Sequence, residues 1–309
     1  MASDQVITCM LSEDAMARLR GRYSVSVRHL KTFISDEDLR EAHAIVTTPY
    51  DRVDAVFLDR ASNLKIIAQF GVGTDNIDLE AAEARGIVVT HTPKVVVSAT
   101  AELTLALMLM VTRRLKEAEG VLGRGPEAMP LGFELSGKTL GIIGMGQIGA
   151  AVARRAHAFG MKIYYANRRR ANPTIERETT AMRRTQEELF EISDVLSLHC
   201  DLNADSRHLV HTASLERMKN SAILINTARA EVIDEVALAH ALASGQLWGA
   251  GLDVFSSYLP EEIRRHPRVV LTPHSGTATT QTRDAMSNMV VDSIIACLTQ
   301  DDRIPNRKV

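Results

Sequence analysis

Cysteine is scarce in this 309-residue chain: Cys9, Cys200 and Cys297 stand far apart, with no CxxC pair and no histidine at metal-ligand spacing. That pattern argues against a disulfide framework and against a zinc site. A surplus of one charge is missing as well. Lys and Arg total 36 against 38 Asp and Glu, for a net charge of −2 at pH 7, so there is no overall basic field to draw nucleic acid or an acidic membrane. Long apolar runs are also absent; the longest, residues 103–111, falls well short of the ~20 residues that span a bilayer. The first ten residues hold neither a basic segment nor an apolar stretch of signal-peptide length. These absences lead us to expect a soluble, cytoplasmic protein with no metal, no membrane and no nucleic-acid partner.

Short β-branched runs alternate with amphipathic stretches along the rest of the chain. Runs at 6–8, 25–27, 44–48, 65–70 and 87–90 read as strands, with helix-like segments such as 36–42 and 53–60 between them. Residues 99–118 are rich in Ala, Leu and Met and apolar on most faces, which predicts one buried connecting or interface helix. Three glycines and two prolines within 120–130 mark a turn-rich crossing. A second series follows, with strands expected at 139–143, 162–166, 195–199, 223–226, 251–255 and 269–271 and a helix over 147–159. Two such series predict an α/β protein of two doubly wound parallel-sheet domains. The last helix-like segment, 279–298, can return to the first domain.

Gly144-Met145-Gly146-Gln147-Ile148-Gly149 lies between the run at 139–143 and the helical stretch after it. In a dinucleotide fingerprint the first glycine permits the tight turn, the second lets the backbone approach a pyrophosphate, and the third lets helix and strand pack closely. Gln147 and Ile148 would then open the helix whose N-terminus faces the phosphates. A plain strand-to-helix turn could use the same glycines. The residue that reads the adenosine ribose belongs at the end of the next strand, roughly 20 residues on. Asn167, Arg168, Arg169 and Arg170 occupy that place, and no carboxylate does. Guanidinium forks match phosphate oxygens in pairs, so the run points to NADP(H), with NAD(H) as second candidate. A solvated loop could carry the same arginines.

Three further blocks stand out: Phe70-Gly71-Val72-Gly73-Thr74-Asp75-Asn76-Ile77-Asp78; Asn226-Thr227-Ala228-Arg229 with Val232-Ile233-Asp234-Glu235; and Gly251-Leu252-Asp253-Val254-Phe255 with Thr272-Pro273-His274-Ser275-Gly276. With the fingerprint, they make the chain from about Ala44 onward resemble the D-2-hydroxyacid dehydrogenase family, most closely its glyoxylate/hydroxypyruvate reductase side. The resemblance implies a flavodoxin-like substrate domain, 1–98 with 279–309, and a Rossmann dinucleotide-binding domain, 99–278. It implies NADPH-dependent reduction of a small 2-oxo acid to the D-2-hydroxy acid, and a homodimer. Arg229 becomes the clamp on the oxo acid, His274 the proton donor to its carbonyl, and Val72 and Gly73 a backbone grip on its carboxylate. Asp253 falls beside the nicotinamide, with Cys200, Thr227 and Gly276 also on the cofactor side. The chemistry requires such groups independently: hydride addition to C2 leaves charge on the carbonyl oxygen, which an acid and a guanidinium stabilise.

Two positions depart from the family pattern. Tyr258 stands five residues after Asp253, where the family places the glutamate that pairs with the catalytic histidine. Ala230 replaces glycine after Arg229. Bland alternatives stay open: Arg229 as a surface ion-pair partner, Asp253 as a turn cap, Cys200 as a small buried hydrophobe. At the level of function, the same scaffold could oxidise an unusual hydride donor or sense dinucleotide without catalysis. The homodimer is expected to form through 99–118, where Leu103, Leu105, Leu107, Met108, Leu109 and Met110 cover most of the circumference.

Overall fold

Strands buried at nearly every position must be covered on both faces, and this governs the central strands of both sheets. The structure is a computed structural model that describes residues 4–9, 11–28, 34–301 and 303–309; of the first ten residues read for a signal segment, 1–3 and 10 lie outside it. The chain forms two compact units, Met1–Val96 with Thr277–Val309, and Val97–Gly276.

The first unit runs β1 (Gln5–Thr8), α1 (Glu13–Arg20), β2 (Ser24–Val27), α2 (Asp36–Glu41), β3 (Ala42–Thr47), α3 (Ala55–Arg60), β4 (Ile66–Gln69), α4 (Leu79–Ala84) and β5 (Val88–Thr90). Its strands pair in parallel in the order β2-β1-β3-β4-β5, the flavodoxin-like arrangement. Ile7, Ile45, Ile67 and Val89 build the core with Leu39 and Leu58 from the helices. Asp78, the last residue of its sequence block, accepts from the Ala81 N–H and so starts α4.

The second unit runs α5 (Val97–Thr112), α6 (Leu115–Gly120), β6 (Thr139–Ile143), α7 (Gln147–Ala158), β7 (Lys162–Ala166), α8 (Pro173–Thr179), β8 (Met182–Arg183), α9 (Gln186–Ile192), β9 (Val195–Leu198), α10 (Thr212–Glu216), β10 (Ile223–Asn226), α11 (Glu235–Ala243), β11 (Gly249–Leu252), α12 (Glu261–Arg265) and β12 (Val269–Leu271). The parallel order β12-β11-β10-β9-β6-β7-β8 reverses direction between β6 and β9. That is the Rossmann switch point, where ligands bind beyond the carboxyl ends of the strands. A last helix, α13 (Thr280–Leu298), belongs to the first unit and packs on β3, β4 and β5.

Three features add to or alter the expectations. The single helix over 99–118 is two: Arg114 adopts a left-handed conformation (φ 53°) between α5 and α6. The cause is distant in sequence. Phe133 N–H bonds the Thr112 carbonyl at 3.0 Å, and a Cβ on Gly132 would sit 2.0 Å from that oxygen, so the returning chain caps α5. Second, the apolar circumference of α5 is largely used inside its own unit, where Leu105, Leu107, Met108 and Val111 are buried. Leu103, Leu109 and Met110 of α5 are only partly buried, and exposed apolar side chains follow at Leu115, Leu122, Met129 and Leu131. Third, the strand expected at 251–255 is Gly249–Leu252. Cβ atoms at Gly249 and Gly251 would press on Val111 and Leu107 of α5, so these glycines let helix and strand approach closely.

Candidate active site

The fingerprint glycines divide their work as their surroundings dictate. Gly144, at φ 99°, follows β6, and a Cβ there would lie 2.5 to 2.6 Å from the backbone of His199 and Cys200 after β9. Gly149 lies in α7 against the Gly144 carbonyl, 2.3 Å from where its Cβ would be. Both are packing requirements. At Gly146, the N-cap of α7, a Cβ would meet nothing within 4 Å. Its missing side chain serves no contact within the protein, which fits a dinucleotide whose pyrophosphate needs the backbone bare. The exposed Gln147 and the partly buried Ile148 follow in the first turn.

Beyond β7, Asn167 bridges back to the fingerprint: its Oδ1 accepts from Met145 N–H at 2.6 Å and its Nδ2 donates to Met145 O at 3.3 Å. Each end of this amide keeps further capacity, a second hydrogen on Nδ2 and a second lone pair on Oδ1. Beside it opens a pocket of about 430 Å³ lined by Asn167, Arg168, Arg183, Arg184, Thr185 and Glu188, among others. Arg169, also expected there, is exposed and does not line it, and Arg170 pairs with Glu176. Glu188 is the one carboxylate in this lining, and it is turned to the Thr185 N–H at 2.8 Å as half of the capping box of α9. Arg183 and Arg184 were missed by sequence reasoning. Arg183 donates to the Asn167 carbonyl at 2.8 Å, and the Arg184 guanidinium stacks 5.3 Å from the centre of the Tyr164 ring. The available signal was an Arg-Arg pair directly before the helix start at Thr185.

Asn226, fully buried at the end of β10, sets the turn that carries Arg229: its Nδ2 donates to the Arg229 carbonyl at 2.8 Å and its Oδ1 accepts from Ala228 N–H at 2.9 Å. Residues 230–232 form a 3-10 turn without positive φ, so Ala230 meets no demand for glycine. Thr227 Oγ1 lies 3.1 Å from Thr104 Oγ1 of α5 and 3.4 Å from His199 Nδ1. The other ring nitrogen of His199 bonds Ser197 Oγ at 2.8 Å, and burial pushes its pKa down to about 4, so the ring is neutral. Cys200 is partly buried against the core, and burial raises its thiol to about 11, leaving a protonated, inert side chain.

His274 lies beyond β12 in the left-handed region, at φ 52°. A non-glycine residue there costs about 1 to 2 kcal/mol, and Asp253 supplies the restraint. Only 2 % exposed, its carboxylate accepts from Thr272 Oγ1 at 2.7 Å, Ser275 N–H at 2.7 Å, Ser275 Oγ at 3.2 Å and Gly276 N–H at 2.9 Å. Asp253 thus brackets His274 from both sides. Asp253 and Gly276, both expected on the cofactor side, are tied to each other in this loop through the Gly276 N–H. Tyr258, expected in place of the family's glutamate, faces solvent. It is 92 % exposed, since its neighbour Leu259 takes the buried position and Glu235 anchors the turn through Ser256 N–H at 2.7 Å and Ser256 Oγ at 2.5 Å. Glu261, close by in sequence, pairs with Arg264 and Arg265.

In the other unit, Val72 and Gly73 lie just beyond β4, partly buried. Among the described residues no cluster of His, Cys, Asp or Glu could hold a metal ion, and no helix is long and apolar enough to cross a membrane.

Known proteins share this geometry. Residues 105–276 match the sequence model of the D-isomer specific 2-hydroxyacid dehydrogenase NAD binding domain. The glyoxylate reductase of Thermococcus litoralis is 46% identical over 271 residues, covering 84% of this chain and 82% of that protein. A crystal structure of a protein from Thermus thermophilus superposes with a TM-score of 0.89 at 42% identity, covering 99% of this chain and all of the other. The NADPH-dependent glyoxylate/hydroxypyruvate reductase of Sinorhizobium meliloti, solved with NADP and malonate, gives 0.87 at 31% identity, covering 99% of this chain and 97% of that one. With a Rossmann unit whose glycines leave room for a pyrophosphate and relatives of this kind along its length, the chain belongs to the D-isomer specific 2-hydroxyacid dehydrogenase family and is an NAD(P)-dependent oxidoreductase.

Proposed function

We propose that the protein is a cytoplasmic, homodimeric, NADPH-dependent reductase that converts a small 2-oxo acid, such as glyoxylate or hydroxypyruvate, into the D-2-hydroxy acid. The observation that carries this reading is a convergence at one sheet edge. Because all strands of the second unit run parallel, the fingerprint turn after β6, the arginine-lined pocket after β7, Arg229 after β10 and His274 after β12 share the carboxyl edge.

On this reading the N–H groups opening α7 hold the pyrophosphate, and Arg168, Arg183 and Arg184 hold the 2′-phosphate as paired donors. When bound, the dinucleotide supplies a hydride to C2 of the substrate. The Arg229 guanidinium holds carboxylate and carbonyl together and offsets the charge that develops on the carbonyl oxygen. His274 gives a proton to that oxygen, which becomes the hydroxyl. The N–H groups of Val72 and Gly73 grip the substrate carboxylate. The partly buried Leu103, Leu109 and Met110 of α5, with exposed Leu122, Met129 and Leu131 beyond it, supply the apolar surface for the dimer, and three free cysteines suit a reducing compartment.

An NADPH oxidation screen over glyoxylate, hydroxypyruvate, pyruvate and longer 2-oxo acids, repeated with NADH, tests the proposal. Turnover of none of them removes the substrate assignment. Equal kcat/KM for the two cofactors removes the cofactor assignment.

A further inference from the structure

The loop after β4 has its carbonyl groups tied down one after another. Thr92 N–H donates to the Gly71 carbonyl at 2.9 Å, His91 Nδ1 lies 2.8 Å from the Val72 carbonyl, and Gln69 Nε2 donates to the Gly73 carbonyl at 3.0 Å. Gln69 is fully buried and saturated: its Oε1 accepts from Thr47 Oγ1 at 2.7 Å, and its Nε2 also reaches Asn76 Oδ1 at 2.9 Å. Asn76 in turn donates to the Thr48 and Asp51 carbonyls at 3.0 and 2.7 Å. The loop is therefore held by side chains from β4 and from the segment following β5.

Peptide geometry makes this consequential. Among the described residues there is no cis peptide bond, and in a trans peptide the N–H points opposite to the C=O of the same plane. Fixing the Gly71 carbonyl aims the Val72 N–H, and fixing the Val72 carbonyl aims the Gly73 N–H. Among the described residues neither N–H has an acceptor within the protein. A carbonyl only accepts, so His91 must carry its proton on Nδ1. Burial pushes the ring below its usual range, against the pull of the Val72 carbonyl.

We infer that His91 is a positioning residue for substrate binding: by holding the Val72 carbonyl it presents the Gly73 N–H to the carboxylate of the 2-oxo acid. This rests on the reductase reading above. His91 touches neither substrate nor cofactor in this role, so its loss weakens capture of the substrate and leaves the chemical step intact.

The test compares His91→Leu with His91→Asn, whose amide nitrogen can stand where Nδ1 stands, using glyoxylate and NADPH. His91→Leu should raise KM for glyoxylate by about tenfold, with kcat and NADPH affinity unchanged, and His91→Asn should restore KM. An unchanged KM in His91→Leu overturns the inference, as does an asparagine variant impaired as badly as the leucine one, or a loss confined to kcat. If His91→Leu fails to fold, His91→Gln takes its place, since its amide reaches past the Nδ1 position. A wild type that reduces no short 2-oxo acid sinks the reductase reading and this inference together. A reducing wild type with an indifferent His91 sinks this inference alone.

Discussion

Asn167 grips Met145 by both halves of its peptide-like amide, accepting from the N–H at 2.6 Å and donating to the carbonyl at 3.3 Å. An aspartate could do only the first. The residue after β7 therefore stiffens the fingerprint turn and adds no negative charge of its own to the neighbouring arginine-lined pocket.

Asn167→Asp should consequently lower kcat/KM for NADPH by roughly tenfold or more and shift preference toward NADH, since charged hydrogen bonds contribute about 1.5 to 3 kcal/mol each. Arg184→Ala should weaken NADPH binding while sparing NADH. Titration of both cofactors against both variants checks this; an undiminished NADPH preference in each would contradict it.

The two later glycines of the fingerprint should fail in different ways. Gly149→Ala places a methyl 2.3 Å from a backbone oxygen and should cost about 1 to 3 kcal/mol by overpacking. Gly146→Ala meets no protein atom, so it should melt like the wild type and yet bind dinucleotide poorly. Thermal melts paired with cofactor titration separate the two; a Gly146→Ala protein with normal affinity would show that no pyrophosphate approaches there.

Arg229→Ala should cost about 10² to 10³ in kcat with NADPH affinity preserved. Tyr258→Phe, at a solvent-facing position, should leave kcat and its pH profile unchanged. Wild-type turnover in the first, or a displaced pH limb in the second, would reverse the roles given to them.

His199 predicts how stability responds to acid. Its folded pKa is about 4, below the ~6.5 of an unfolded chain, so between these values the unfolded state binds the extra proton. Stability is then full above about 6.5 and falls as pH drops toward 4, by up to ~3 kcal/mol from this group. His199→Asn, which keeps hydrogen-bonding capacity without the titration, should lose less stability between pH 7.5 and pH 5 than the wild type does. Parallel pH slopes of denaturant midpoint would refute the assignment.

Leu122→Asp with Leu131→Asp should convert the dimer to a monomer, with light scattering moving from twice 33.9 kDa toward 33.9 kDa. A wild type already at the lower mass would remove the dimer from the proposal.

What the sequence disclosed follows the range of the forces involved. β6, β7, β10 and β12 were legible to the residue because their apolar runs are bounded by local breakers or polar residues. The fingerprint was legible because its three glycines act within six positions. β11 slipped by two residues at its start and three at its end because Gly249 and Gly251, placed there to admit α5, weaken the strand pattern. The break at Arg114 depends on Gly132 and Phe133 closing over Thr112, which periodicity does not register. Arg183 reaches the arginine-lined pocket only because β8 pairs with β7, with Arg183 opposite Tyr165. Spacing put Tyr258 at the family's glutamate position but could not say which of Tyr258 and Leu259 turns inward.

The return of α13 has a consequence for the order in which the chain acquires its shape. The second unit is continuous and can close as soon as it is made, whereas β5 stays at a sheet edge until Thr90 bridges Arg307 and the Val89 carbonyl receives the Lys308 N–H. Thr90 and Arg307 are 217 positions apart, so at about 5 to 20 residues per second that edge waits roughly 10 to 40 s on the ribosome. For that interval the half-made first domain shows an open strand and the uncovered sheet face meant for α13, a template for pairing with other nascent chains. Production in cells should therefore be most sensitive to substitutions in residues 280–309 that leave the finished enzyme untouched.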